Sequence, residues 1–108
     1  MVYTADNRKF YNGKRWLHLR DVILRRDGYA DQIDKRYGKS TEANTVHHIF
    51  PREEFPEYQY EAWNLISLSH RNHVAMHVPS SGELSPAGVE LLRRTARRYD
   101  KPLPLRYQ

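Results

Sequence analysis

The chain has 108 residues, 39% hydrophobic and 29% charged, with a formal net charge of +5. That length fits one ordinary domain, expected over 1–108. No apolar run approaches the roughly 20 residues of a membrane span, so no membrane partner is expected. Cysteine is absent, which excludes a disulfide framework and a thiol nucleophile. Met1 to Phe10 lacks the apolar stretch of a secretory leader, and an intracellular, cytoplasmic site is expected.

The charge is zoned. Residues 1–39 carry ten Lys/Arg against five Asp/Glu, residues 40–85 two against six, and residues 86–108 six against two. Two basic flanks around a His-rich middle suit a polyanion that is gripped at its edges and acted on at its centre. Solvated helix faces produce the same pattern, so charge alone does not decide the function.

In chain order, Asn12-Gly13 signals a turn, and Trp16, Leu19 and Ile23 follow at the spacing of one helix face. Asp27-Gly28 supplies a residue able to take positive φ and end that helix. Tyr29 to Asn44 is polar and turn-prone, and reads as a loop or short hairpin reversing at Tyr37-Gly38-Lys39-Ser40. Thr45 to Ile49 is a short β-branched strand that Pro51 stops, and Leu65 to Ser69 is a second. Between them, Arg52 to Trp63 is an acidic, aromatic connection. The Glu53, Glu54, Glu57 and Glu61 run within it reads as solvated.

Arg71 to His77 is helix-compatible and is ended by Val78-Pro79. Ser85 as N-cap and Pro86 at the first helical position open a last helix. Val89, Leu92, Ala96 and Tyr99 form its apolar face, and Arg94, Arg97 and Arg98 a basic stripe. Lys101-Pro102-Leu103-Pro104-Leu105 reads as an extended tail.

Four of six histidines fall where strand, strand and helix converge. His73 and His77 at i and i+4 stand on one helix face and can meet one cation together. Successive strand residues point to opposite faces, so His47 and His48 must have different jobs. One of them completes a three-ligand site with open positions for water and a phosphate oxygen. The other, as a neutral imidazole, can take a proton from water. This division of labour suits phosphodiester hydrolysis. His18 and His70 are left as structural or solvent-facing.

Val46-His47-His48-Ile49-Phe50-Pro51, then Trp63-Asn64-Leu65-Ile66-Ser67-Leu68, then His70-Arg71-Asn72-His73-Val74-Ala75-Met76-His77 resemble the His, Asn and His blocks of the HNH endonucleases, small phage-type members in particular. Arg26-Asp27-Gly28-Tyr29 and Leu91 to Ala96 are similar to the flanking segments. The resemblance implies an α+β, ββα-metal (His-Me finger) core at about 44–78, a short hairpin and helix flanked by an N-terminal and a C-terminal basic helix. It implies His47, His73 and His77 as ligands of one divalent cation (Mg²⁺, Mn²⁺, Ni²⁺ or Zn²⁺), with His77 matching only some branches. It implies His48 as general base and Asn64 as the residue that braces the inter-strand loop and orients it.

The implied substrate is DNA in a bacterial or phage-infected host cell, with Arg25, Arg26, Arg93, Arg94, Arg97 and Arg98 as candidate phosphate contacts. Monomer and homodimer both stay open. The rival reading is a DNA-binding or accessory module that keeps the fold without turnover. Members of this subgroup often hold a structural zinc on two Cys-x-x-Cys pairs. The matching positions here are Asp31 and Asp34, then Ser69 and Asn72, so no structural zinc is expected. In its place, Trp16, Tyr29, Tyr37 and Trp63 are expected to help hold the first helix to the core, with Asp31 and Asp34 solvated.

Overall fold

A computed structural model of the chain describes residues 5–108, so the first four residues of the segment read as leaderless lie outside the described residues. The helix expected after Asn12-Gly13 is α2, Lys14–Arg26, which buries Trp16, Ile23 and Leu24. Gly28, at φ +64°, ends it. The Gly28 N–H returns to Arg25 O and the Tyr29 N–H to Leu24 O, the paired bonds of a Schellman cap. A short helix that the sequence does not announce, α1 (Ala5–Tyr11), precedes it; its one buried residue is Asn7, so it has no apolar periodicity to read.

β1 (Thr45–His48) and β2 (Leu65–Leu68) pair antiparallel, Thr45 opposite Leu68 and His48 opposite Leu65. An isolated two-stranded hairpin is marginal in water, and here helices cover it. One buried cluster joins Trp16, Ile23 and Leu24 of α2 to Val46 and Leu65. The other joins Ile49, Phe50 and Leu68 to Met76 and to Leu91, Leu92 and Ala96 of α5 (Pro86–Tyr99). Ser85 caps α5 by accepting the Gly88 N–H, as expected. The apolar face of α5 is shifted from the expected one. Leu91 and Thr95 are buried with Leu92 and Ala96, while Tyr99 is 40% exposed.

Three expectations are corrected. The segment 29–44 is not all loop. It contains α3, Gln32–Arg36, opened by Asp31, whose carboxylate accepts the Asp34 N–H. The helix after β2, α4, runs His70–Ala75, so His77 lies beyond its end. His77 is pulled into an isolated antiparallel bridge with Leu84 instead of a further helical turn. The tail is extended only to Pro104; Leu105–Tyr107 make a 3₁₀ turn that buries Tyr107, whose hydroxyl donates to Glu54. Glu54 is therefore a tether and not simply solvated, and Glu53 likewise accepts from Asn7.

The expected aromatic staple holds only in part, through Trp16 buried against Val46 and Leu65 with Trp63 packed on the other cluster, and the expected solvated carboxylates are replaced. Tyr29 and Tyr37 are exposed. Asp31 and Asp34 are buried, and with Ser69 and Asn72 they form one hydrogen-bonded knot. Asp31 accepts from Ser69 N at 2.6 Å and from the Asn72 amide at 2.9 Å. Asp34 accepts from the same amide, from the Thr41 hydroxyl and from Arg71. The knot ties α3 to the start of α4, across the positions where the resemblance places thiolates. Burial pushes the Asp31 carboxyl up, but the hydrogen bonds to Asp34, Ser69 and Asn72 outweigh it and hold the group below its ordinary value. Among the described residues no helix is long and apolar enough to cross a membrane.

Candidate active site

His47 on β1, His73 on α4 and His77 just past α4 converge. Their ring centroids are 5.3, 5.3 and 5.4 Å apart, and one nitrogen from each lies within 4.8 Å of the others. His77 meets its partners because the chain turns tightly after Ala75, with the His77 N–H bonded to Val74 O at i−3. Its Nδ1 lies 3.1 Å from Gly82 O. A carbonyl only accepts, so Nδ1 carries the proton and Nε2 is a bare lone pair.

Both His77 Nε2 and His47 Nε2 are buried with no hydrogen-bond partner among the described residues. Burial lowers all three imidazoles, and neighbouring imidazoles lower His47 and His73 further, His73 to about 4. They are therefore neutral at physiological pH, the form that ligates. Three neutral rings, two of them with a buried Nε2 that has no partner among the described residues, fit a divalent transition ion and leave coordination positions open.

His48 takes the opposite side of β1, as strand alternation requires. Its ring stacks on Trp16 at 4.8 Å and 22°, with Phe10 and Tyr11 at its edges. Its Nε2 lies 3.0 Å from Gln59 O, which fixes the proton on Nε2 and leaves Nδ1 unprotonated. Burial, opposed by the Gln59 bond and helped by the charge of Arg52, lowers its pKa to about 4. His48 and the three converging histidines line one cleft of about 460 Å³.

Asn64 is fully buried. Its oxygen accepts from Phe50 N at 2.7 Å, and its amide donates to Phe50 O at 3.1 Å and Tyr58 O at 3.2 Å. Tyr58 precedes the residue whose carbonyl holds His48. The sequence reading missed three supports of this site: the stacking of Trp16 on His48, the Gln59 carbonyl, and Arg52. Arg52 lines the cleft with its guanidinium over Phe10 at 4.3 Å, and bonds to Asp6 and Asn7 of α1. Its position directly after Pro51, beside the His-His strand, was the available signal.

The candidate phosphate contacts separate. Arg26 donates to Ala62 O and Leu65 O and pairs with Asp27, and Arg93 donates to Tyr107 O and Gln108 O. Arg25, Arg97 and Arg98 are exposed, and Arg94 is half-buried. His18 and His70 are exposed and stand outside the cluster.

No protein-family model matches the chain, and no curated protein does. Among solved structures it is similar to the crystal structure of the HNH endonuclease of the deep-sea thermophilic bacteriophage GVE2 with manganese ion. The two are 30% identical with a TM-score of 0.61, covering 64% of this chain and 75% of that one. The chain belongs to the HNH endonuclease family. The hairpin followed by α4 is accordingly the family's ββα-metal unit, and the resemblance read from the His, Asn and His blocks holds at the level of the fold. As an HNH protein it has a metal-dependent nuclease fold, and its histidine cluster can hold a metal.

Proposed function

We propose that this HNH protein is a DNA endonuclease that hydrolyses phosphodiester bonds with one divalent cation, and that His48 is its general base. The observation that carries the reading is the split at β1: His47 faces two further imidazoles, while His48, whose Nδ1 the Gln59 bond leaves unprotonated, lines the same cleft. His47, His73 and His77 would hold the ion, and manganese in the similar phage enzyme supports a transition ion. When bound, such an ion supplies Lewis-acid charge to a phosphoryl oxygen and to the leaving 3′ oxygen.

The remaining chemistry belongs to side chains. His48 Nδ1 accepts a proton from water as that oxygen bonds to phosphorus; the bond to the 3′ oxygen breaks, and the leaving oxygen takes its proton from solvent. Trp16 and the Gln59 carbonyl keep the imidazole in one tautomer and one orientation, and Asn64 braces the loop that carries that carbonyl. Arg52 adds positive charge at the cleft for a phosphate.

The test is supercoiled plasmid incubated with Mg²⁺, Mn²⁺, Ni²⁺ or Zn²⁺, with and without chelator. Nicked or linear product in metal alone is expected. His48→Ala should still bind metal and DNA while cleavage falls about 10²–10⁴-fold. A His48→Ala protein that cuts as fast as the parent overturns the base assignment.

A further inference from the structure

A second concavity, of about 730 Å³, lies between α3 and α5 across the hairpin, and it shares no lining residue with the histidine cleft. Four arginines reach it. Arg26 is occupied by Asp27 and by two backbone carbonyls. Arg36, Arg94 and Arg98 form no ion pair among the described residues. Asp27, the acidic residue of the lining, is spent on Arg26 and on the Ser67 N–H. The groove therefore offers three uncompensated guanidinium groups.

The Nε of Arg94 is buried with no acceptor. A buried N–H in that state is unfavourable until something brings an oxygen to it. Beside these cations, Tyr99, 40% exposed, lies 5.7 Å from Trp63, and both line the groove. Guanidinium forks match phosphate oxygens, and an aromatic wall beside them is the combination that holds unpaired bases. A duplex keeps its bases stacked inside and cannot present one to a hollow of this size, which falls in the range of sites for small ligands.

We propose that this groove is an accessory site for an unpaired nucleotide of the DNA substrate, its phosphate on Arg36, Arg94 and Arg98 and its base against Tyr99 and Trp63. The inference rests on the reading that the substrate is DNA, and adds that the preferred DNA carries a single-stranded flank.

The test is fluorescence anisotropy in EDTA, so that binding is read without cleavage, using a short blunt duplex, the same duplex with an unpaired thymidine tail, and one with an abasic tail. The thymidine tail should tighten binding about tenfold over blunt. The abasic tail should recover only part of that gain. The exposed pair Arg36→Gln/Arg98→Gln, and separately Tyr99→Ala, should bring the tailed-to-blunt ratio near one. A ratio near one for the unaltered protein overturns the proposal, as does an abasic tail that binds as tightly as thymidine. A protein that cuts no plasmid with any metal yet keeps the tail preference removes the nuclease reading and leaves the groove. One that cuts but shows no tail preference does the reverse.

Discussion

Asn64 and Phe50 exchange two hydrogen bonds, Phe50 N–H to Asn64 Oδ1 at 2.7 Å and Asn64 Nδ2 to Phe50 O at 3.1 Å. The side-chain amide thus acts as one more strand residue at the point where the hairpin opens into its long connection. Its spare proton, on Tyr58 O, fixes the backbone beside Gln59. Asn64→Ala leaves the buried Phe50 N–H and Phe50 carbonyl unpaired, while Tyr58 O keeps the Glu61 N–H, and unfolding free energy measured in urea should fall by about 2–4 kcal/mol. Asn64→Asp keeps the acceptor and loses the donors. Its metal affinity should stay close to the parent's while plasmid cleavage drops, because the three imidazoles are held elsewhere. Equal loss of metal binding and cleavage would contradict that separation.

Metal binding should be visible as stability. An ion held by the folded chain alone stabilises by about 2.7 kcal/mol at a hundredfold excess over its dissociation constant. Thermal scans of chelator-treated protein titrated with Mn²⁺ or Ni²⁺ should show a rising midpoint. The rise should be lost in His73→Ala and in His77→Ala, and kept in His48→Ala.

Acid should loosen the Asp31 knot. The carboxyl sits below its unfolded value of 3.8, so its contribution is complete above that pH and disappears as pH falls through the lower folded value. Midpoints measured downward from pH 6 should therefore decline most steeply below about pH 4. Asp31→Asn offers one acceptor oxygen where the carboxylate uses two, and should cost about 1–3 kcal/mol at neutral pH with a flatter acid limb.

Gly88 lets α5 pass close against the end of α4. A Cβ there would lie 2.3 Å from Met76 O. Alanine is ordinarily the better helix residue, but Gly88→Ala must push the two segments apart and should destabilise by about 1–3 kcal/mol. Since Met76 adjoins His77, metal affinity should weaken with it. An unchanged midpoint in the metal titration would show that the contact yields elsewhere.

The parts of this molecule that sequence reading found are those with a period or a punctuation mark. Trp16, Leu19 and Ile23 announced α2, and Ser85-Pro86 announced α5. Alternation along β1 set His47 and His48 on opposite sides of the strand, as they are found. The parts it missed are held by polar groups whose partners are remote in the chain. α1 is anchored through Asn7 to Glu53 and Arg52, and α3 through Asp31 and Asp34 to Ser69 and Asn72. Hydrogen bonds spanning some 40 residues leave no local pattern. His77 was placed in the cluster for an inexact reason, since a tightened turn and the pull of Leu84, not a continued helix, bring it there.

The knot of Asp31, Asp34, Ser69 and Asn72 has a practical consequence for handling this protein. A fastening made of carboxylates and an amide has no sulfur for peroxide to attack, and its carboxylate oxygens are taken by hydrogen bonds from the protein itself. Removing the ion from the histidines should leave the scaffold standing. The empty protein then becomes a stable reagent that can be reloaded with one metal after another, under air, to compare them.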